Sequence, residues 1–151
     1  MAAHIPTRES SKYAGQYVGT LGSQRMVEIF ADSYKIALSS KNPITARDRF
    51  DLAVEAYHQF MSMGSAADVR ASVQRAMEEL VELFPTQVVG NEALGLREKA
   101  RKLKTPRKQL ELLRRASEIV SRGLAEHPFS SVLHATAAEL QTEILQCEAV
   151  V

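Results

Sequence analysis

The sequence is poor in the features that mark a secreted or membrane protein. It contains one cysteine and no tryptophan. Because Cys147 has no partner for an internal disulfide, the chain suits a reducing compartment. No run approaches the roughly 18 apolar residues of a membrane-spanning helix. The first residues also lack the basic start and apolar core of a secretory signal. We therefore expect a cytoplasmic protein without a membrane partner.

Residue patterns for catalysis, metal binding or nucleotide binding are also missing. The only glycine cluster is Gly15, Gly19 and Gly22, and its spacing matches neither G-x-G-x-x-G nor a phosphate-binding loop that ends in Lys-Ser/Thr. The histidines form no H-x-x-x-H pair and have no cysteine pair beside them: His4, His58, His127 and His134. We expect no enzymatic activity, no cofactor and no bound metal.

The composition indicates one globular, helical domain. Of the 151 residues, 45% are apolar and 25% are charged, which is ordinary for a globular protein. Alanine, leucine, glutamate and arginine are abundant, and they favour helices. Residues 1–21 are expected to form a flexible N-terminal arm, with Tyr13 and Tyr17 packing onto the first helix. Residues 22–151 are expected to form a single all-helical, repeat-like domain.

Three prolines divide the chain at nearly equal intervals. Pro43, Pro85 and Pro128 are 42 and 43 residues apart, and each stands between two apolar helical stretches. Because the residue before a proline disfavours the α region, each proline is expected to separate two helices. The sequence therefore predicts an all-α fold of about six helices in antiparallel pairs, forming a helical array or a compact bundle. The apolar stripes predict these buried residues: Leu38, Leu80, Val120, Leu133 and Leu140.

The last copy of this pattern resembles a known family. Ala116, Val120, Gly123 and Pro128 follow one another at spacings of four, three and five residues. This order of small, large, small and proline resembles the second half of a tetratricopeptide repeat. The residues that follow resemble the first half of the next repeat: Leu133, Thr136, Ala137 and Leu140. The resemblance implies stacked helix pairs over residues 22–151 and a role in binding other proteins.

The charge distribution points to one surface. Residues 97–115, the basic segment, contain nine cations: Arg97, Lys99, Arg101, Lys102, Lys104, Arg107, Lys108, Arg114 and Arg115. Only Glu98 and Glu111 oppose them, so the segment carries +7 in a chain whose net charge is +1. Thr105 and Pro106 are expected to break the helix in its middle. The cations are expected to be exposed around that turn, since unpaired buried charges are very costly.

Three interpretations of the basic segment remain open. It can be a solvated turn, a binding site for an acidic protein partner, or a contact for nucleic acid phosphates. No aromatic residue that stacks on bases lies between Phe84 and Phe129. The stripe from Phe50 to Met63 on another helix is expected to be core, with a groove for a partner helix as the alternative.

The favoured function is a non-enzymatic protein-interaction or regulatory module of tetratricopeptide-like architecture, with the nine cations as its candidate binding residues. Two alternatives are a nucleic-acid-associated accessory protein that uses the basic segment, and an accessory helical domain of a larger enzyme. The partner's identity, the biological process and the oligomeric state are not readable from the residues.

Overall fold

The fold is all-α, as predicted. A computed structural model describes residues 4–16 and 21–151. Those residues form a 3₁₀ turn and five α-helices: Arg8–Ser10, then α1 Ser23–Ser39, α2 Pro43–Ser62, α3 Ala67–Lys102, α4 Pro106–Glu126 and α5 Ser131–Glu148. The same residues contain no β-strand. The predicted number of about six helices was one too high, because two expected helices are joined into α3.

The join occurs at Pro85, where a helix break was predicted wrongly. Helix α3 runs through Pro85 without interruption for 36 residues. A proline inside a helix removes one backbone hydrogen bond and costs about 3 kcal/mol. Phe84 and Val88, one turn apart on either side of the proline, are both buried. Burial of this continuous apolar stripe outweighs the local preference for a break. The regular spacing of the three prolines is therefore not a regular spacing of helix ends.

The other two prolines separate helices as predicted. Pro43 is the first residue of α2, where its missing N–H would have no helical partner. Pro128 lies in the turn between α4 and α5. Ser130 caps α5, because its side chain accepts a hydrogen bond from the backbone N–H of Leu133 at 3.2 Å.

The described residues divide into two compact units. Unit 1 comprises the described residues up to Ser39 together with Ile44–Pro85, and unit 2 comprises Ser40–Pro43 and Thr86–Val151. Helix α3 supplies its first half to unit 1 and its second half to unit 2. The whole basic segment belongs to unit 2.

The core of unit 1 follows the helical spacing of its apolar residues. On α3, the inward stripe is Val73, Met77, Leu80 and Phe84. The predicted burial of Leu80 is confirmed, whereas Leu38 of α1 is only half-buried. Its neighbour Ala37 is fully buried instead. Met26 and Phe30 set the phase of α1, and continuing that stripe by helical turns reaches residue 37 rather than 38.

Unit 2 contains the helix pair α4 and α5, which pack against each other. The predictions that Val120, Leu133 and Leu140 are buried are confirmed. Gly123 marks a close approach, since a Cβ atom there would lie 2.8 Å from Cγ1 of Val89 and 3.1 Å from Cδ1 of Leu133. The small residue that the tetratricopeptide pattern requires at this position thus has a packing reason. The family resemblance itself stays a prediction.

The described part of the N-terminal segment lies on α2. Glu55 is fully buried, and its Oε1 accepts hydrogen bonds from Arg8 Nε at 3.2 Å and from the N–H of Gly15 at 3.0 Å. Tyr13 donates from its hydroxyl to Asp48 at 3.1 Å, also on α2. Tyr13 was predicted to pack on the first helix, and it contacts the second. Tyr17, for which the same packing was predicted, lies outside the described residues.

No helix in the described ranges combines the length and the apolar character that crossing a membrane would require.

Candidate partner-binding site

The basic segment folds around the turn between α3 and α4. Helix α3 ends at Lys102, and α4 begins at Pro106. Thr105 has an extended backbone, with φ −93° and ψ 117°, as expected for a residue before proline. The side-chain amide of Gln109 donates to the carbonyl of Leu103 and ties the turn to the start of α4. The predicted break in the middle of the segment is confirmed.

Three of the nine cations are paired with glutamates of α5. The pairs and their distances are Arg97–Glu139 at 2.6 Å, Arg97–Glu143 at 2.8 Å, Arg101–Glu143 at 2.6 Å and Arg114–Glu148 at 3.4 Å. These contacts join residues that are 34 to 46 positions apart in the sequence. They fix the orientation of α3 and α4 relative to α5 inside unit 2. The charge pattern of residues 97–115 did not reveal these pairs, because the glutamates lie outside the segment.

Glu143 is the centre of this network. Its side chain is 20% exposed and receives hydrogen bonds from two arginines. Burial alone would raise the pKa of Glu143, but the hydrogen bonds from Arg101 and Arg97 outweigh it and hold the pKa below its usual range. Burial likewise opposes the charge of Arg97, and its bonds to Glu143 and Glu139 raise its pKa nonetheless. Both groups are therefore firmly charged at neutral pH.

The other six cations are exposed and form no ion pair with the described residues: Lys99, Lys102, Lys104, Arg107, Lys108 and Arg115. We call this set the unpaired cations. Glu98, inside the segment, already accepts a hydrogen bond from Lys41 at 2.6 Å, and this bond is the main cause of its lowered pKa. With Lys41 and the three glutamates of α5 included, the local net charge is still +5. The surface remains strongly positive after all internal pairing.

The two helix ends differ in how they tolerate these cations. Lys99, Arg101 and Lys102 occupy the last turn of α3, where the negative end of the helix dipole stabilises positive charge. Arg107 and Lys108 lie in the first turn of α4, which contains no acidic residue and where the dipole is also positive. The dipole of α3 thus stabilises the cations in its last turn, whereas the dipole of α4 destabilises the cations in its first turn. An anion bound at the turn would relieve this repulsion.

A pocket of about 360 Å³ opens in the same part of unit 2. It is lined by Ala100, Arg101, Gln109, Leu113, Glu143, Gln146, Cys147 and Val150. Cys147 is buried and belongs to the hydrophobic core cluster of unit 2. Its thiol donates to the carbonyl of Pro106 at 3.1 Å. Three helices meet at this pocket, so no local sequence pattern could have revealed it.

A second pocket lies in unit 1, along the stripe for which a groove was the alternative. Its volume is about 400 Å³, and its lining includes Phe50, Phe84 and Pro85. The rings of Phe50 and Phe84 stack with centroids 4.5 Å apart. Further along α2, Tyr57 and Phe60 are buried, which confirms the core interpretation for that part of the stripe.

The side chains of two histidines contact backbone carbonyl oxygens. Nε2 of His58 lies 2.7 Å from the carbonyl oxygen of Pro6, and Nε2 of His134 lies 2.7 Å from that of Pro128. Across residues 4–16 and 21–151, no group of three His, Cys, Asp or Glu side chains is placed to hold a metal ion.

Comparison with protein-family models, with curated proteins and with solved structures finds no match to this chain. The argument for a function therefore rests on the geometry and charge of its own residues.

Proposed function

We propose that this chain is a non-enzymatic protein-interaction module whose basic segment binds an acidic segment of a partner protein. The observation that carries the proposal is the set of unpaired cations around one exposed turn, next to arginines that are held in place by α5. Opposite charges at such a surface steer association and fix the orientation of the partner. We also keep the tetratricopeptide-like architecture as a proposal, and it rests on the α4–α5 pair.

The cations at the start of α4 favour a binding role over a solvated turn. A turn that serves only to connect two helices gains nothing from Arg107 and Lys108 at the positive end of a helix dipole. Such an arrangement costs stability in the free protein and is offset when carboxylates bind. The pairing of Arg97 and Arg101 with Glu143 keeps the neighbouring backbone in one conformation, which lowers the entropy lost on binding.

Protein carboxylates are a better fit than nucleic acid. Nonspecific binding of single strands uses aromatic side chains on which bases stack. The two pockets differ in this respect, because the lining of the one near the unpaired cations contains no aromatic residue, whereas the lining of the other includes Phe50 and Phe84. An acidic peptide needs only the charges and an aliphatic surface.

The test is charge reversal at the turn. A variant carrying Lys102→Glu, Lys104→Glu, Arg107→Glu and Lys108→Glu should lose binding to a fluorescein-labelled peptide rich in aspartate and glutamate, measured by fluorescence anisotropy. Its melting temperature should stay nearly unchanged, because the side chains are exposed and the dipole effects oppose each other: glutamate is unfavourable at Lys102 in the last turn of α3 and favourable at the start of α4. Binding by the unaltered protein should weaken as salt is raised.

A matched control makes an equal change in net charge outside the basic segment. It reverses four exposed cations outside the basic segment: Arg25, Lys35, Arg75 and Arg122. This variant should still bind the acidic peptide, although more weakly. Equal binding by the turn variant and the unaltered protein would contradict the proposal. A single-stranded oligonucleotide is tested alongside, and tighter binding to it, with a salt slope near −0.7 per phosphate contacted, would favour the nucleic acid alternative.

A further inference from the structure

The 360 Å³ pocket of unit 2 continues directly from the unpaired cations. Its lining residue Arg101 precedes Lys102 in the chain, and its lining residue Gln109 follows Lys108. The pocket therefore opens beside both arms of the turn.

The walls of the pocket are mainly apolar. Ala100, Leu113, Cys147 and Val150 supply them, and the first three belong to the buried cluster of unit 2. Val150 is exposed, so one wall faces solvent at the mouth. An apolar surface of this kind gains free energy when a ligand side chain removes it from water.

Four of the polar lining residues have partners inside the protein: Arg101, Gln109, Glu143 and Cys147. Arg101 and Glu143 form an ion pair at 2.6 Å. The amide of Gln109 donates to the backbone of the turn, and the Cys147 thiol donates to a carbonyl of α4. A polar ligand group would have to displace these bonds, whereas an apolar group would leave them intact.

We propose that the pocket receives one large apolar side chain, such as leucine, from the same acidic segment that the unpaired cations bind. The inference rests on the proposed function and adds the recognition rule: carboxylates flanking a single apolar anchor. The occupant is identified by complementarity, because Arg101 lines the pocket next to Lys102 in the chain and more of the exposed lining is apolar than polar. In many interfaces, a buried side chain supplies most of the affinity and charges at the rim orient the partner.

The experiment compares two labelled peptides of equal net charge. One has a leucine in the centre of an aspartate- and glutamate-rich sequence, and the other has serine at that place. The leucine peptide should bind about tenfold tighter or better, as expected for burying one aliphatic side chain. Methyl resonances of Leu113 and Val150 should shift with the leucine peptide and not with the serine peptide.

A pocket-blocking variant separates the pocket from the charges. Gln146 is exposed at the mouth, so Gln146→Trp covers the opening without disturbing the core. It should bring the affinity for the leucine peptide down to that for the serine peptide. The control is Gln141→Trp, an exposed position on another side of α5 that is absent from the lining, and it should bind both peptides normally.

The outcomes distinguish the two proposals. If both peptides bind equally well and Gln146→Trp has no effect, the pocket inference is overturned while the interaction module stands. If neither peptide binds, the proposed function itself fails. If the methyl shifts appear with both peptides, the pocket responds to charge and the apolar anchor is rejected.

Discussion

Arg97 of α3 donates from Nε to Oε1 of Glu143 of α5 at 2.8 Å, across 46 residues of sequence. The two side chains are 16% and 20% exposed, so their charges are largely removed from water. Arg101 binds the same carboxylate, so two cations of the basic segment, Arg97 and Arg101, hold α3 on α5 inside unit 2. In the function proposed above, the partner is bound by the cations that are not paired with α5.

The pH dependence of stability should report this network. Because the pKa of Glu143 is lowered by folding, its contribution is full above the unfolded pKa of about 4.3 and is lost as the pH falls through the lower folded value. Glu143→Gln should reduce the free energy of unfolding at pH 7 by about 1–3 kcal/mol. It should also flatten the loss of stability below pH of about 4. Urea denaturation at a series of pH values measures both effects.

The control for this change is Glu139→Gln, which removes only the more exposed partner of Arg97. It should cost less than about 1 kcal/mol at pH 7. An equal loss in the two variants would show that Glu143 has no special place in the network.

Gly123 should not tolerate a methyl group. Gly123→Ala places a Cβ atom 2.8 Å from Cγ1 of Val89, whose branched side chain has little freedom to move. Overpacking should cost about 1–3 kcal/mol, partly offset by the better helix propensity of alanine. Gly90→Ala is the matched change, since the nearest atom would be 3.9 Å away, and it should stabilise by about 0.5–1 kcal/mol. Thermal melts of the two variants should move in opposite directions.

The predicted core leucines are buried, whereas other leucines of the same two helices are exposed. Leu80→Ala and Leu140→Ala remove fully buried side chains, one in each unit, and should each cost about 2–5 kcal/mol. Leu83 and Leu145, on the same two helices, are 40% and 56% exposed and provide the controls. Their alanine variants should cost less than about 1 kcal/mol. Denaturant midpoints that fail to separate the two sets would refute the helix phases described above.

Glu55 should hold the N-terminal segment on α2. Its buried carboxylate accepts from Arg8 Nε, from the Gly15 N–H and from Gln59 Nε2 at 2.9 Å. Glu55→Gln removes the charge and should cost about 1–3 kcal/mol, with faster hydrogen exchange at the Gly15 amide. Asp48→Asn weakens the contacts of Asp48 with Lys12 and Tyr13, neither of which involves the Gly15 amide, and should leave that amide protected. Unchanged exchange in Glu55→Gln would mean that other contacts hold the segment.

Local patterns predicted the helix class and the turn at Thr105 and Pro106 because both depend on neighbouring residues. They failed at Pro85, where the burial of Phe84 and Val88 on the two sides outweighs the proline's preference. The failure at Leu38 was a phase error of one residue, which only the packing of the remaining helices resolves.

The sequence predicted the cations of the candidate site but not the glutamates that pair with three of them. The clustering of nine cations was plain, but the glutamates of α5 that neutralise three of them are more than thirty residues away. Nothing local connects Arg97 with Glu143, because the contact exists only after α3 and α5 have packed. The pocket beside the unpaired cations depends on three helices in the same way.

Pro85 interrupts the backbone ladder of α3 at the residue where the two units divide. Without an N–H at this position, the carbonyl of Val81 loses its regular helical donor. Helices usually exchange their amide hydrogens fastest at their frayed ends. In α3, the turn around Pro85 should open more readily than the turns on either side of it, so the exchange profile should have a maximum in the middle of the helix.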